Sequence, residues 1–323
     1  MVMYSITGRL WRGCNLTRKY ERLCVSLKTM MESVAPDWHI GIVVSRAASS
    51  AILRHRIPTH VAWMPRQRGA YRAHPHIATC GGVTAVFYSE YTYARDTAVL
   101  ACRTIQRGDN ATVMFGDPLY IDGPHTSRTY PFVFVDRDDT AYMTPQEEAC
   151  GALVIYRAMR FPDTWEPIVT VAEDFPALSP TLMRSGDHYY IAATDARTRE
   201  LCIFIAKEIS GPWTRMQQTF PALRCAGSPF VQNHVLYLPI REERTSYVTL
   251  YRATLTPQMI ILHPQTSISL WRSSFRALQT VSVGTSFYAF DILTRACFNN
   301  VLARYGARLL HAARTRFVPT IYL

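Results

Sequence analysis

Short apolar runs rich in Val, Ile, Phe and Tyr alternate with polar turns along this chain, and no long segment carries a helical period until the C-terminus. Four dipeptides ending in proline punctuate the pattern: His74-Pro75, Tyr130-Pro131, Ser179-Pro180 and Ser228-Pro229, with the prolines 56, 49 and 49 residues apart. Each opens an apolar segment, a turn and an aromatic-rich segment, which reads as a β-hairpin. The turns fall at Gly81-Gly82, Asp136 to Asp139, Ser185-Gly186-Asp187 and near Asn233. A fifth unit without the proline, QTVSVGTSFYAFDI, begins about fifty residues later and turns at Gly284. Further strand-like runs follow the hairpins at Ala98 to Ile105, Ala152 to Arg157, Leu201 to Ala206 and Tyr247 to Arg252. Another tier holds Trp165 and Trp213, each set after a proline.

Three or four short strands per unit, repeated five times, predict an all-β fold, a five-bladed β-propeller, because a four-stranded blade takes roughly 40 to 50 residues. A β-sandwich, the main alternative, has no reason to space its strands evenly. The run Trp38 to Val44 precedes the first unit and is expected to pair with the last blade and close the ring. On this reading residues 1–35 are an N-terminal extension and 36–297 the propeller. Residues 298–323 are a helical tail packed on it, since Val301, Leu302, Tyr305, Leu309 and Leu310 recur at helical spacing.

Composition narrows the class without naming a ligand. Of 323 residues, 48% are hydrophobic and 18% charged, too apolar for disorder, and no run approaches the roughly 20 apolar residues of a membrane span. The net charge is +11, yet 32 of the 35 basic residues are arginines scattered singly, which suits a solvated surface or an anionic partner rather than a nucleic-acid groove. The eight cysteines form no CxxC pair and match no zinc spacing, so they read as buried thiols. His74-x-His76 is metal-compatible but lacks a third ligand at a defined spacing. The N-terminus has no continuous apolar core and is not read as a signal peptide, and the sequons at Asn15 and Asn110 matter only in a secretory lumen. P-loop, GxGxxG, HExxH and GxSxG motifs are missing, and no cofactor or metal is indicated.

The innermost strands of a propeller face a shared channel. The residue before each repeated proline and the end of each second strand are therefore expected to line it. This selects His74, Tyr130, Ser179 and Ser228, then Glu90, Gln146, Asp195 and Arg241-Glu242-Glu243, with Gln279 and Asp291 from the last blade and His125 at the mouth.

These residues carry a resemblance. The segments WHIGIV, HTSRTYPFVF…AYMTPQ, LVIYRAMRFPDTWEP, SPTLMRSGDHYYI, GPW and RCAGSPF…LYLP look like the five-bladed domain at the N-terminus of plant glucosamine inositolphosphorylceramide transferases and of bacterial relatives joined to formyltransferases. That domain is in turn similar to family-43 glycoside hydrolases. The resemblance covers about residues 36 to 295 and implies the propeller fold. It also implies that His74, Gln146 and Ser179 stand where the family carries Asp, Glu and Asp, that Arg241-Glu242 replaces a Gln-Asp pair, and that Gln279 replaces a histidine. Glycoside cleavage ordinarily needs two positioned carboxyl groups. A glutamine cannot donate a catalytic proton near neutral pH, and a serine cannot supply the charge.

The expectation is a degenerate, glycoside-hydrolase-like propeller that binds a glycan, sugar-phosphate or sugar-nucleotide through His74, His125, Tyr130, Gln146, Ser179, Arg224, Arg241 and Gln279. Two alternatives stand beside it: a carbohydrate-processing enzyme whose carboxylates have moved to Glu90, Glu242 or Glu243, and a scaffold that binds a protein partner on a propeller face.

Overall fold

Alternation of apolar and polar residues over eight to eleven positions makes each run a strand buried on one or both faces, and short turns join consecutive runs antiparallel. The computed structural model describes residues 37–45, 47–54, 60–67, 70–92, 98–121, 127–147, 151–243, 245–268 and 275–294. The N-terminal extension, the helical tail, His125 and the cysteines Cys14, Cys24, Cys150 and Cys297 lie outside them.

The strands form five antiparallel sheets, one per sequence unit. From the inside outwards, blade 1 contains Ala70–Cys80, Val83–Thr92, Ala98–Arg107 and Val113–Phe115. Blade 2 contains Arg128–Val135, Ala141–Glu147, Leu153–Arg160 and Thr164–Ala172. Blade 3 contains Ala177–Ser185, His188–Asp195, Glu200–Ala206 and Thr214–Pro221. In blade 4 the inner edge is split into Leu223–Cys225 and Phe230–Gln232, followed by Val235–Glu242, Val248–Leu255 and Ile260–Ile268. Blade 5 is composite: Phe275–Val283 and Phe287–Thr294 come from the C-terminal part, and Asp37–Val44 and Ala62–Trp63 add its two outer strands. The closing strand pairs continuously from Asp37↔Thr294 to Val44↔Phe287, as its apolar pattern predicted.

Five apolar clusters fill the five blade–blade interfaces. Phe87, Met143 and Trp165 lie between blades 1 and 2, Phe132, Leu182 and Phe204 between blades 2 and 3, and Tyr190, Leu238 and Ile240 between blades 3 and 4. Val248, Leu250, Leu278 and Phe290 join blades 4 and 5, and Ile40, Ile42, Ile77 and Tyr88 join blades 5 and 1. The short helix Ala48–Leu53 covers the blade 4–5 cluster through Ala48 and Ile52. This circular arrangement of cores is what distinguishes the ring from a two-layer sandwich. The tryptophan tier caps blades 2 and 3 alike: the Trp165 Nε1–H donates to Pro162 O at 2.8 Å, and Trp213 Nε1–H to Ile209 O at 3.1 Å. Cys102, Cys202 and Cys225 are buried free thiols, as expected, and Cys80 lies half-buried at a hairpin tip.

Candidate functional site

The repeated prolines mark a backbone device at the ring's inner edge. A proline lacks an N–H and is tolerated at an edge or a bulge. Register shifts show a bulge at each of the first three: between Ala73 and His76, between Thr129 and Phe132, and between Leu178 and Thr181. The residue before the proline takes a left-handed conformation, with φ of 56° at His74, 51° at Tyr130 and 49° at Ser179. Such backbone persists only where its surroundings over-determine it. Here the freed N–H is gripped by the preceding blade: His74 N donates to Asp291 Oδ2 (2.8 Å), Tyr130 N to Ser89 Oγ (2.9 Å) and Ser179 N to Gln146 Oε1 (3.2 Å). Blade 4 differs, with Gly227 at φ 138° pressed so closely on blade 5 that a Cβ would lie 1.7 Å from Val281 O.

The second strands show which residues turn inward. Opposite the position preceding each bulge stand Ser89, Gln146 and Thr194, and blade 4 places Arg241 opposite Arg224. One residue later, and therefore on the other face of the strand, comes a run of acids: Glu90, Glu147, Asp195 and Glu242. Each acid is held where it stands. Glu90 accepts from Arg72 Nε (2.9 Å) and Tyr120 OH (3.1 Å), and Glu147 accepts from Tyr156 OH (2.6 Å) and is ion-paired with the Arg128 guanidinium (2.9 Å). Asp195 accepts from Arg197 N (2.8 Å), and Glu242 from Tyr251 OH (3.1 Å). Ser89, not Glu90, is thus the inward residue of blade 1, a difference of one register step.

Of the sequence-selected ligand residues, His74, Tyr130, Gln146, Ser179, Arg224, Arg241 and Gln279 come together. The Gln279 amide donates to His74 Nε2 at 2.6 Å, so the neutral ring carries its proton on Nδ1, 3.2 Å from Ser89 Oγ. Arg224 donates through Nε to Ser179 Oγ (2.6 Å) and through a terminal nitrogen to Gln146 Oε1 (3.0 Å). The Tyr130 hydroxyl accepts from Gly227 N at 3.0 Å. His76, which shares the repeat's first strand, packs edge-on against Tyr130 at 4.6 Å and faces Ser228 Oγ at 3.4 Å. The space among His74, Tyr130, Ser179, Cys225 and Gln279 is too small for a water. Open room lies beside it, between blades 3 and 4. There a cavity of about 170 Å³ is bounded by Arg224, Arg241, Leu178, Leu223, Arg199 and Glu243. Arg199 and Glu243 face each other at 3.4 Å and are exposed.

Burial governs the electrostatics. It holds His74 well below the usual imidazole range, helped by Arg224, and lowers His76 to about 3. It lowers Arg224 to about 10 together with its neighbour Arg241, and it lowers Arg241 against the pull of Asp291. Asp291, fully buried, is raised by burial to about 6 although His74, Gln279 and Thr280 all donate backbone N–H groups to it.

Sequence reading missed Ser89, Arg199 and the parallel stack of Tyr71 and Tyr91 (4.7 Å between centroids), whose Tyr91 lies edge-on to His74 at 6.3 Å. A strict inward–outward count along Val83–Thr92 would have found Ser89 and Tyr91 together.

Residues 100–258 match the family model described as "Glucosamine inositolphosphorylceramide transferase 1, N-terminal", from the third strand of blade 1 to the third strand of blade 4 and the turn that follows it. No curated protein sequence matches the chain. Among solved structures, the chain is similar to an exo-β-1,3-galactanase from Clostridium thermocellum (10% identity, 60% of this chain and 49% of that one, TM-score 0.46). It is also similar to the GH43 protein BlXynB from Bacillus licheniformis (16% identity, 64% and 48%, TM-score 0.44) and to a GH43_1 enzyme from Xanthomonas citri (16% identity, 60% and 73%, TM-score 0.47). The chain spans about half the length of the first two. It is a five-bladed β-propeller similar to the N-terminal domain of glucosamine inositolphosphorylceramide transferases.

Proposed function

We propose that this propeller binds a glycan or sugar-nucleotide in the cavity between blades 3 and 4 and does so without conventional glycoside hydrolysis. One observation carries the reading. The inward positions of the second strands of blades 1 to 4 hold a hydroxyl, an amide, a second hydroxyl and a guanidinium, while the neighbouring acids turn to the other face and are tied to Arg or Tyr, or to both. Amides, hydroxyls and guanidinium groups recognise sugar hydroxyls, whereas hydrolysis asks for two free carboxyl groups across the scissile bond. The family description, which names a glucosamine transferase, supports a carbohydrate ligand. Gln146 and Ser179 act in this reading as positioning residues that aim Arg224. At about 170 Å³ the cavity is well below the roughly 300 Å³ of a drug-sized site, so it suits one terminal sugar unit rather than a chain.

The test is incubation of the purified protein with a mixed glycan and sugar-nucleotide pool, with mass spectrometry of retained and cleaved species. Retention without products, lost in Arg241→Ala, is the expected result. A second reading rests on Glu243, the one acid among the described residues that border the cavity. If new products form and Glu243→Gln stops them, the protein is an enzyme with a relocated carboxylate.

A further inference from the structure

Arg224 and Arg241 are a cross-strand pair, so both side chains rise from one face of blade 4. Like charges placed opposite one another on neighbouring strands repel, and among the described residues no carboxylate bridges these two. Among the described residues Arg224 bonds only to the neutral acceptors Ser179 and Gln146. Arg241 has no hydrogen-bond or ion-pair partner among the described residues, and the nearby Asp291 is occupied by three backbone N–H groups. The cavity beside them adds a third cation, Arg199, and one acid, Glu243, which already face each other. Asp291 attracts Arg241 without bonding to it, and Arg224 meets no carboxylate among the described residues, so the pair keeps a net positive charge. Burying cations without a counter-charge is costly, and a guanidinium pair matches an oxyanion by charge-assisted, bidentate hydrogen bonds.

We propose that the cavity is an oxyanion subsite, in which Arg224 and Arg241 together take the carboxylate or phosphate of an acidic saccharide and select it over a neutral one. The proposal rests on the reading of this cavity as a saccharide site and assigns its ligand class. Arg241 is the discriminating residue, because its removal breaks no hydrogen bond among the described residues. Arg224 is pinned by Gln146 and Ser179 and is less suited to a test.

The experiment is isothermal titration of the purified full chain, at matched ionic strength, with glucuronate, glucose 1-phosphate, inorganic phosphate and glucose. At least one acidic sugar is expected to bind tenfold or more tighter than glucose and to lose at least tenfold in Arg241→Gln. Unliganded Arg241→Gln is expected to melt no lower than the native chain, since a like-charge repulsion has been removed. Preference between glucuronate and glucose 1-phosphate identifies the carboxylate or the phosphate. Equal affinity for glucose and both acidic sugars overturns the oxyanion subsite but leaves the saccharide site standing. An Arg241→Gln variant that binds as before, or that melts well below the native chain, does the same. Phosphate binding that needs Arg241 and gains nothing from a sugar keeps the oxyanion subsite and removes the saccharide reading. No binding by any probe overturns both.

Discussion

His74, His76 and Asp291 are buried at the ring's inner edge, and pH acts on the fold through them in opposite directions. The two histidines are held neutral by burial, whereas an unfolded chain protonates them at about pH 6.5. Unfolding below that pH therefore takes up protons, and the stability they contribute above it is lost on acidification, by up to ~1.4 kcal/mol per pH unit for each ring. Asp291 is raised to about 6 by burial, so below pH 6 the folded state keeps a proton that the unfolded chain releases. Its contribution falls as pH rises from about 4 to 6. Urea unfolding between pH 7 and pH 5 should show the net acid loss. His76→Phe, which keeps the ring against Tyr130 and Phe132, should shallow the slope by about one proton. Asp291→Asn should steepen it below pH 6. A slope unchanged in His76→Phe would mean that the ring is charged in the fold.

At the scale of elements, the blades are fastened by single side chains reaching across to a neighbour's bulge. Ser89→Ala would leave the Tyr130 N–H buried without an acceptor, and a cost of about 1–3 kcal/mol in urea denaturation is expected. Gly227 joins blades 4 and 5 by close approach rather than by a side chain. Gly227→Ala combines a φ that side chains rarely adopt with a Cβ 1.7 Å from Val281 O, so a loss of about 3 kcal/mol or more is expected. The proline repeat was legible because proline and bulge recur together. Its meaning was not, because the acceptor for each bulge lies in a different blade.

At the scale of the whole molecule, closure depends on a strand from the N-terminal part of the chain. Residues 37–44 pair with the last hairpin along their full length and bring Ile40 and Ile42 into the core shared with blade 1. A chain starting at residue 64 would expose that core and the inner hairpin of blade 5. Burial of each such side chain is worth about 1.5–3 kcal/mol, and a domain's net stability is only about 5–15 kcal/mol. Loss of the single thermal transition, seen by circular dichroism, is the expected result. A truncated chain that melts as the native one does would show that the ring does not need its closing strand.

The sequence by itself determined the number of blades, the positions of their hairpins, the closing strand and most of the inward ring. Those follow from local chemistry: β-branched and aromatic runs, turn residues and the spacing of four prolines. Only the tertiary structure decided the rest. It placed Ser89 rather than Glu90 inside, because alternation along a strand fixes two sets of residues but not which set faces the channel, and the pairing with the bulged inner strand settles that. It packed His74 and Gln279 too tightly to admit a water, and it opened the cavity next door. It also left Arg241 without an acceptor among the described residues, since whether a charge is answered depends on which residues of other blades arrive beside it.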